Sequence, residues 1–265
     1  MLLRSVTALV LAPAVVGLTL YLPTHWYSLV LLLPVLLGMA EWNRLTVRSP
    51  RALAVSAPAM GLVAVWLSGF PVALWGICLA ASGLWLYCLF ALCRNRMAGI
   101  PGSTAGFLSG WYCLLAAWAG LVLLHQQPLQ GPAVATAVLA VVWAADTFAY
   151  LVGKGIGKRK LVPDLSPNKT VEGLAGGLLG AGMTAWGLSA YWLQFPATTH
   201  RSWMVAGLLA AVASVVGDLF QSRLKRVAGL KNSGNLLPGH GGVLDRIDGI
   251  IAAVPVFAVL WVGLP

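Results

Sequence analysis

Apolar runs of about 20 residues recur from one end of this chain to the other, and that is the length an α-helix needs to cross the hydrocarbon core of a bilayer. Reading the runs between charged or Pro/Gly-rich breaks gives nine candidate spans, near residues 5–22, 26–43, 52–69, 71–93, 103–124, 132–152, 173–194, 203–221 and 249–264. The fold class that follows is all-α: a polytopic integral membrane protein of about nine transmembrane helices with a polar site on its cytoplasmic side. Composition agrees, because 59% hydrophobic and 9% charged residues leave too little polar surface for a water-soluble fold. The same figures exclude intrinsic disorder and a secreted disulfide scaffold. Cys78, Cys88, Cys93 and Cys113 lie in or beside apolar runs without CxxC spacing or a nearby histidine, so they read as packing residues and not as a zinc site.

With the amino terminus on the cytoplasmic side, the positive-inside rule can be checked against all 17 Lys and Arg. The inner segments hold Arg4; Arg44, Arg48 and Arg51; Arg94 and Arg96; Lys154, Lys158, Arg159, Lys160 and Lys169; and Arg223, Lys225, Arg226, Lys231 and Arg246. Arg201 alone falls outside. A wrong number of spans would scramble this alternation. The first span is read as a retained helix and not a cleaved signal, since eight more follow. The net charge of +10 is explained by the same bias, so nucleic acid is not an expected partner. Anionic lipid headgroups and nucleotide phosphates are the expected cytoplasmic ones.

Carboxylates are unfavourable in a membrane protein, so the positions of these seven carry information. Glu41 stands alone near the end of the second span, whereas Asp146, Asp164, Glu172, Asp218, Asp245 and Asp248 all fall in the later part of the chain. Asp218 ends the eighth span, with Ser222 and Arg226 following at helical spacing. Asp245 and Asp248, three apart at the entrance to the ninth, would share one face. Hard cations such as Mg²⁺ take carboxylate oxygens and complete their shell with substrate phosphates, so Asp218 and Asp245 are candidate metal ligands. Lys225, Arg226, Lys231 and Arg246 would neutralise remaining phosphate charge. An ion-paired cytoplasmic loop is the alternative. Gly239, Gly241 and Gly242 flank His240 in what reads either as a phosphate-cradling turn or as a turn that needs only conformational freedom. His240 is a candidate donor to a phosphate or a turn-stabilising hydrogen-bonder.

The other polar loop, GKGIGKRKLVPDLSPNKTVEG over 153–173, superficially resembles a Walker A loop, but its glycines are too close and Arg159 stands at the Ser/Thr position. Ser166 followed by Pro167 predicts a helix start, N-cap then N1. Lys169 in that first turn would oppose the helix dipole unless an anion were bound, so a phosphate site and a solvated basic loop are the two readings.

The stretch SRLKRVAGLKNSGNLLPGHGGVLDRID over 222–248 resembles the signature of the phosphatidate cytidylyltransferases, or CDP-diacylglycerol synthases. ADTFAY at 145–150, SPNKTVEGLAGG at 166–177 and Glu41 with Trp42 are similar to that family too, and the resemblance covers the whole chain, strongly after residue 140. It implies cytidylyl transfer from CTP to phosphatidic acid, giving CDP-diacylglycerol and pyrophosphate, in a multi-pass protein of the bacterial cytoplasmic membrane. Asp218, Asp245, Asp248, Lys225 and Arg226 would be catalytic, with Asp218 and Asp245 on Mg²⁺ and a second cation left open. Ser166, Lys169, Ser222, Lys231, His240, Gly241, Gly242, Arg246 and Asp146 would bind substrate. The division implied is a set of N-terminal transmembrane helices over 1–130 and a catalytic transmembrane region over 131–265, carrying loops 153–172 and 222–248. Membrane lipids are further partners and a homodimer is left open. One position departs: the family has Asp after the lysine matching Lys231, and this chain has Asn232. Two alternatives stand beside the main reading: a CTP-dependent polyprenol kinase, which would use similar charges but transfer the γ-phosphoryl, and, because of Asn232, a non-catalytic homologue that binds lipid or nucleotide.

Overall fold

The structure is a computed structural model, and it describes residues 2–47, 49–94, 104–163, 165–236 and 241–263. His240, Asp164, Arg48 and Arg96 lie outside the described residues. The helices are α1 (Leu2–Tyr21), α2 (Thr24–Val30), α3 (Leu32–Leu45), α4 (Pro50–Leu67), α5 (Pro71–Cys93), α6 (Thr104–His125), α7 (Gly131–Ile156), α8 (Val171–Gly187), α9 (Ala197–Val227), α10 (Leu244–Ile247) and α11 (Ile250–Gly263). Strands β1 (Lys160–Val162) and β2 (Ser166–Thr170) lie between α7 and α8, and a π-helical turn, Leu188–Trp192, extends α8. Each predicted span falls on a helical element, and among the described residues seven helical stretches are long and apolar enough to cross a membrane. The first and seventh spans fall on α1, whose described apolar stretch is Leu9–Tyr21, and on the 17-residue α8.

Proline and hydroxyl side chains set several helix starts. Pro50 and Pro71 open α4 and α5 in first-turn positions where no N–H is needed, and Ser49 caps α4 by accepting from Ala52 N at 3.2 Å. The second span is broken at Leu31 into α2 and α3.

The expected helix start at Ser166 and Pro167 is corrected by the structure. These residues belong to β2, which pairs antiparallel with β1, Val162 opposite Ser166 and Lys160 opposite Thr170. The cap of α8 is Thr170, whose hydroxyl accepts from Gly173 N at 3.0 Å. The extended backbone is held by Val171 N donating to Arg159 O at 2.9 Å. Lys169 therefore lies on a strand, and the helix-dipole argument for an anion there does not apply.

Helix α6 sits at the centre, against α2, α3, α4, α5, α7 and α11. Its Trp118 is buried and donates to Ser28 O at 2.8 Å; buried Trp42 of α3 donates to Gly106 O at 2.8 Å. Outward residues such as Leu62, Val65 and Trp66 of α4 and Val72, Leu86 and Tyr87 of α5 are exposed, as a lipid-facing surface requires.

Two small-residue seams position the polar residues. Buried Gly173, Gly176, Gly177 and Gly180 line the face of α8 against α7, and a Cβ at Gly177 would stand 2.8 Å from Ala145 O. Without side chains between them the two backbones close on each other, the usual route to tight packing where no water drives association. On α9, a Cβ at Gly217 would stand 2.5 Å from Asp248 O, so the glycine lets the approach to α11 lie directly against Asp218.

Candidate active site

Helices α7, α8 and α9 and strand β2 enclose a cavity of about 280 Å³. Asp146 and Tyr150 from α7, Asn168, Lys169 and Thr170 from β2, Gly173 and Leu174 from α8 and Val215 and Asp218 from α9 line it. Helices α7 and α9 run farther than their apolar runs suggest, ending at Ile156 and Val227. At about 1.5 Å per residue, Asp146 and Asp218 are therefore recessed roughly 14–15 Å from those ends.

Lys169 Nζ lies 2.5 Å from Asp218 Oδ2, and Ser222, one turn along α9, donates to Asp218 Oδ1 at 3.4 Å. Asp248, immediately after α10, is close enough to Asp218 and Asp146 for mutual repulsion, with Lys225 as a neighbouring cation. Asp146 likewise faces Asp218, with Lys169 and Arg246 as its cations. Asp146, Asp218 and Asp248 thus cluster with Lys169, Lys225 and Arg246 at and beside the cavity. Among the described residues no three carboxylate, imidazole or thiolate side chains close around a single point. A cation here fits only with substrate or water oxygens completing its shell, which is how Mg²⁺ commonly binds.

Beside the cavity, the segment after α9 is folded around two other carboxylates. Asp245 Oδ1 pairs with Lys225 Nζ at 2.7 Å, and its Oδ2 accepts from Ser233 N at 2.9 Å and Gly242 N at 3.0 Å. Glu41, 1% exposed, reaches in from α3 and accepts from Ser233 Oγ at 2.8 Å, Val243 N at 3.0 Å and Leu244 N at 2.8 Å. The consecutive N–H groups of residues 242–244 are therefore engaged by protein carboxylates, which favours the conformational reading of the glycine turn over the phosphate cradle. Gly241 has φ +85°, where a side chain would be strained, and a Cβ at Gly234 would stand 2.5 Å from Glu41 Oε1.

The structure brings Asp146, Lys169, Asp218, Ser222, Lys225, Arg246 and Asp248 together, and sets Asp245 and Gly242 beside them. Arg226, Lys231 and Asn232 are exposed at the rim, and Ser166 sits on the hairpin opposite Val162. Glu172 orders that hairpin's approach by accepting from Lys158 N and Arg159 N, each at 3.1 Å. Its carboxyl is held below the usual range, by its own backbone N–H first and then by those two, against a partial desolvation that acts the other way.

Sequence reasoning gave Glu41 no partner, because its contacts are 192 to 203 residues away. The only signals were its isolation in an apolar run and its place in a family-like dipeptide.

The model of the cytidylyltransferase family matches residues 2–263. The phosphatidate cytidylyltransferase of Pseudomonas aeruginosa is 39% identical over 260 residues, 97% of this chain and 95% of that protein. Those of Haemophilus influenzae and Bacillus subtilis are 43% identical over 130 residues and 46% over 115, covering 47% and 43% of this chain and 44% and 42% of theirs.

Proposed function

The chain belongs to the cytidylyltransferase family, and from that membership we propose that it transfers the cytidylyl group of CTP to phosphatidic acid, releasing pyrophosphate and forming CDP-diacylglycerol. The observation that carries the reading is the cavity lined by Asp146, Lys169 and Asp218, with Asp248, Lys225 and Arg246 close enough to act on those carboxylates. The protein would lie in the bacterial cytoplasmic membrane, with its amino terminus and the mouth of this cavity inside.

A phosphate oxygen of the lipid attacks the α-phosphorus of CTP; the new P–O bond forms as the bond to the β-phosphate oxygen breaks, and pyrophosphate leaves with that electron pair. Both reactants are anionic, so their repulsion is the first obstacle. Lys169, Lys225 and Arg246 counter it by exchanging carboxylate partners for phosphate oxygens. The nucleophile is already ionised, so no side chain need remove a proton from it. Asp218 and Asp248 would hold Mg²⁺, and Asp245 would join them or take a second cation where Lys225 leaves its Oδ1. Bound there, the ion would supply neutralisation of phosphate charge.

The test is to incubate the purified protein with CTP, phosphatidic acid and Mg²⁺, and in parallel with CTP, a polyprenol and Mg²⁺, while following lipid product, CDP and pyrophosphate together. Equal amounts of CDP-diacylglycerol and pyrophosphate support the proposal. A phosphorylated polyprenol with CDP, or binding without turnover, overturns it.

A further inference from the structure

Glu41 is unusual for an acid on a helix in the N-terminal half of a membrane protein: it is buried and accepts hydrogen bonds from neutral donors. Among the described residues these donors, one hydroxyl and two consecutive backbone N–H groups, come from between α9 and α11. The fit is close on every side. A Cβ at Gly234 would stand 2.5 Å from Oε1, and one at Gly242 would overlap Oε2 and Ser233 Oγ, so two glycines are needed where the carboxylate enters.

Ser233 links Glu41 to the site. Its hydroxyl donates to Glu41 while its backbone N–H donates to Asp245, and Asp245 in turn holds Lys225. We infer that Glu41 is a positioning residue: an internal anion that ties Ser233 to Val243 and Leu244, fixing Asp245 and Lys225 for the nucleotide phosphates. The inference rests on the proposed function above. It assigns a role in the site to α3, from the half of the chain outside the predicted catalytic region. The nucleotide is the substrate affected, because in the proposed orientation the segment between α9 and α11 would face the cytoplasm, from which a soluble triphosphate enters.

Glu41→Gln keeps the side chain's volume but removes the charge and replaces one acceptor oxygen with a donor, leaving at least one buried N–H unpaired. Loss of a charge-assisted set of this kind predicts a rise of about tenfold to a hundredfold in KM for CTP. The kcat should stay within about threefold and KM for phosphatidic acid unchanged. Ser233→Ala should give a smaller rise, and adding it to Glu41→Gln should cost much less than in the parent, since both act through one link.

Amide hydrogen exchange on the full-length protein in detergent supplies a readout that does not need activity. Peptides covering 229–245 should exchange faster in Glu41→Gln, while peptides from α6 stay as protected as in the parent. Unchanged exchange in 229–245 overturns the inference. So does faster exchange with an unaltered KM for CTP in an active parent, or additive effects of the two substitutions. A parent that makes no CDP-diacylglycerol would instead count against the proposed function, and the exchange result would still decide whether Glu41 orders the segment.

Discussion

Asp218→Asn removes one unit of negative charge from the floor of the cavity and leaves the shape of the side chain almost unchanged. In the structure that charge faces Lys169 at 2.5 Å and repels Asp146 and Asp248, so it is the hub of the cluster. A unit charge about 4 Å from a cation is worth about 4 kcal/mol at an effective dielectric near 20. The Lys169 and Asp218 side chains are 24% and 33% exposed, and screening at that exposure removes about half, leaving roughly 2 kcal/mol. Lys169 turns to phosphate when substrate binds, so the charge matters to catalysis through the divalent ion that Asp218 would hold there, and a contact of that size lost from the ion corresponds to a loss of about thirtyfold in kcat/KM. The assay is steady-state formation of CDP-diacylglycerol across a Mg²⁺ titration, on protein that elutes as the parent does in detergent. Near-normal kcat/KM at saturating Mg²⁺ would remove Asp218 from the site and refute the electrostatic argument.

Lys169→Ala should raise KM for CTP or phosphatidic acid, because it removes a cation that would leave Asp218 for substrate phosphate; steady-state constants unchanged for both substrates would return Lys169 to a passive ion pair. Gly177→Ala should destabilise the α7–α8 seam by about 1–3 kcal/mol, since its Cβ would stand 2.8 Å from Ala145 O, and a thermal midpoint equal to the parent's would contradict that packing. Asn232→Asp should tighten the Mg²⁺ dependence or raise kcat/KM by adding a charge near the Asp245 carboxylate, and an equal or poorer variant sinks the idea that this departure weakens the site. In a cysteine-free background, single cysteines placed in 153–172 and 222–248 should resist impermeant reagents in intact cells while a carboxyl-terminal one reacts. External labelling of either loop would break the predicted topology.

The helices were legible because a bilayer demands a long apolar run for each crossing, and α5 coincides with its predicted span from 71 to 93. Ends were less legible where polar residues continue a helix beyond its apolar run: α9 goes on from 221 to Val227 because Ser222, Arg223 and Lys225 are good enough helix formers with a protein wall to face. The hairpin was invisible for a local reason. Ser166 and Pro167 carry the signal of a helix start, but the pairing of β2 with β1 keeps them extended and the cap of α8 falls to Thr170. At the site, the scarcity of carboxylates pointed to Asp146, Asp218, Asp245 and Asp248, yet could not say which cation each would meet. The pairing of Lys169 with Asp218 spans 49 positions, and the bond from Ser233 to Glu41 spans 192; contacts at such separations leave no periodicity to read.

The central claim is that this cavity moves the α-phosphorus of CTP onto a phosphate of a membrane lipid. CTP labelled at the α-phosphate or at the γ-phosphate, presented in parallel with phosphatidic acid and Mg²⁺, tests it most directly. The account predicts that α-label enters the lipid fraction as CDP-diacylglycerol, that γ-label leaves as pyrophosphate in equal amount, and that Asp218→Asn depresses both together. Transfer of γ-label to lipid with release of CDP, or no transfer of either label by folded protein, would contradict it.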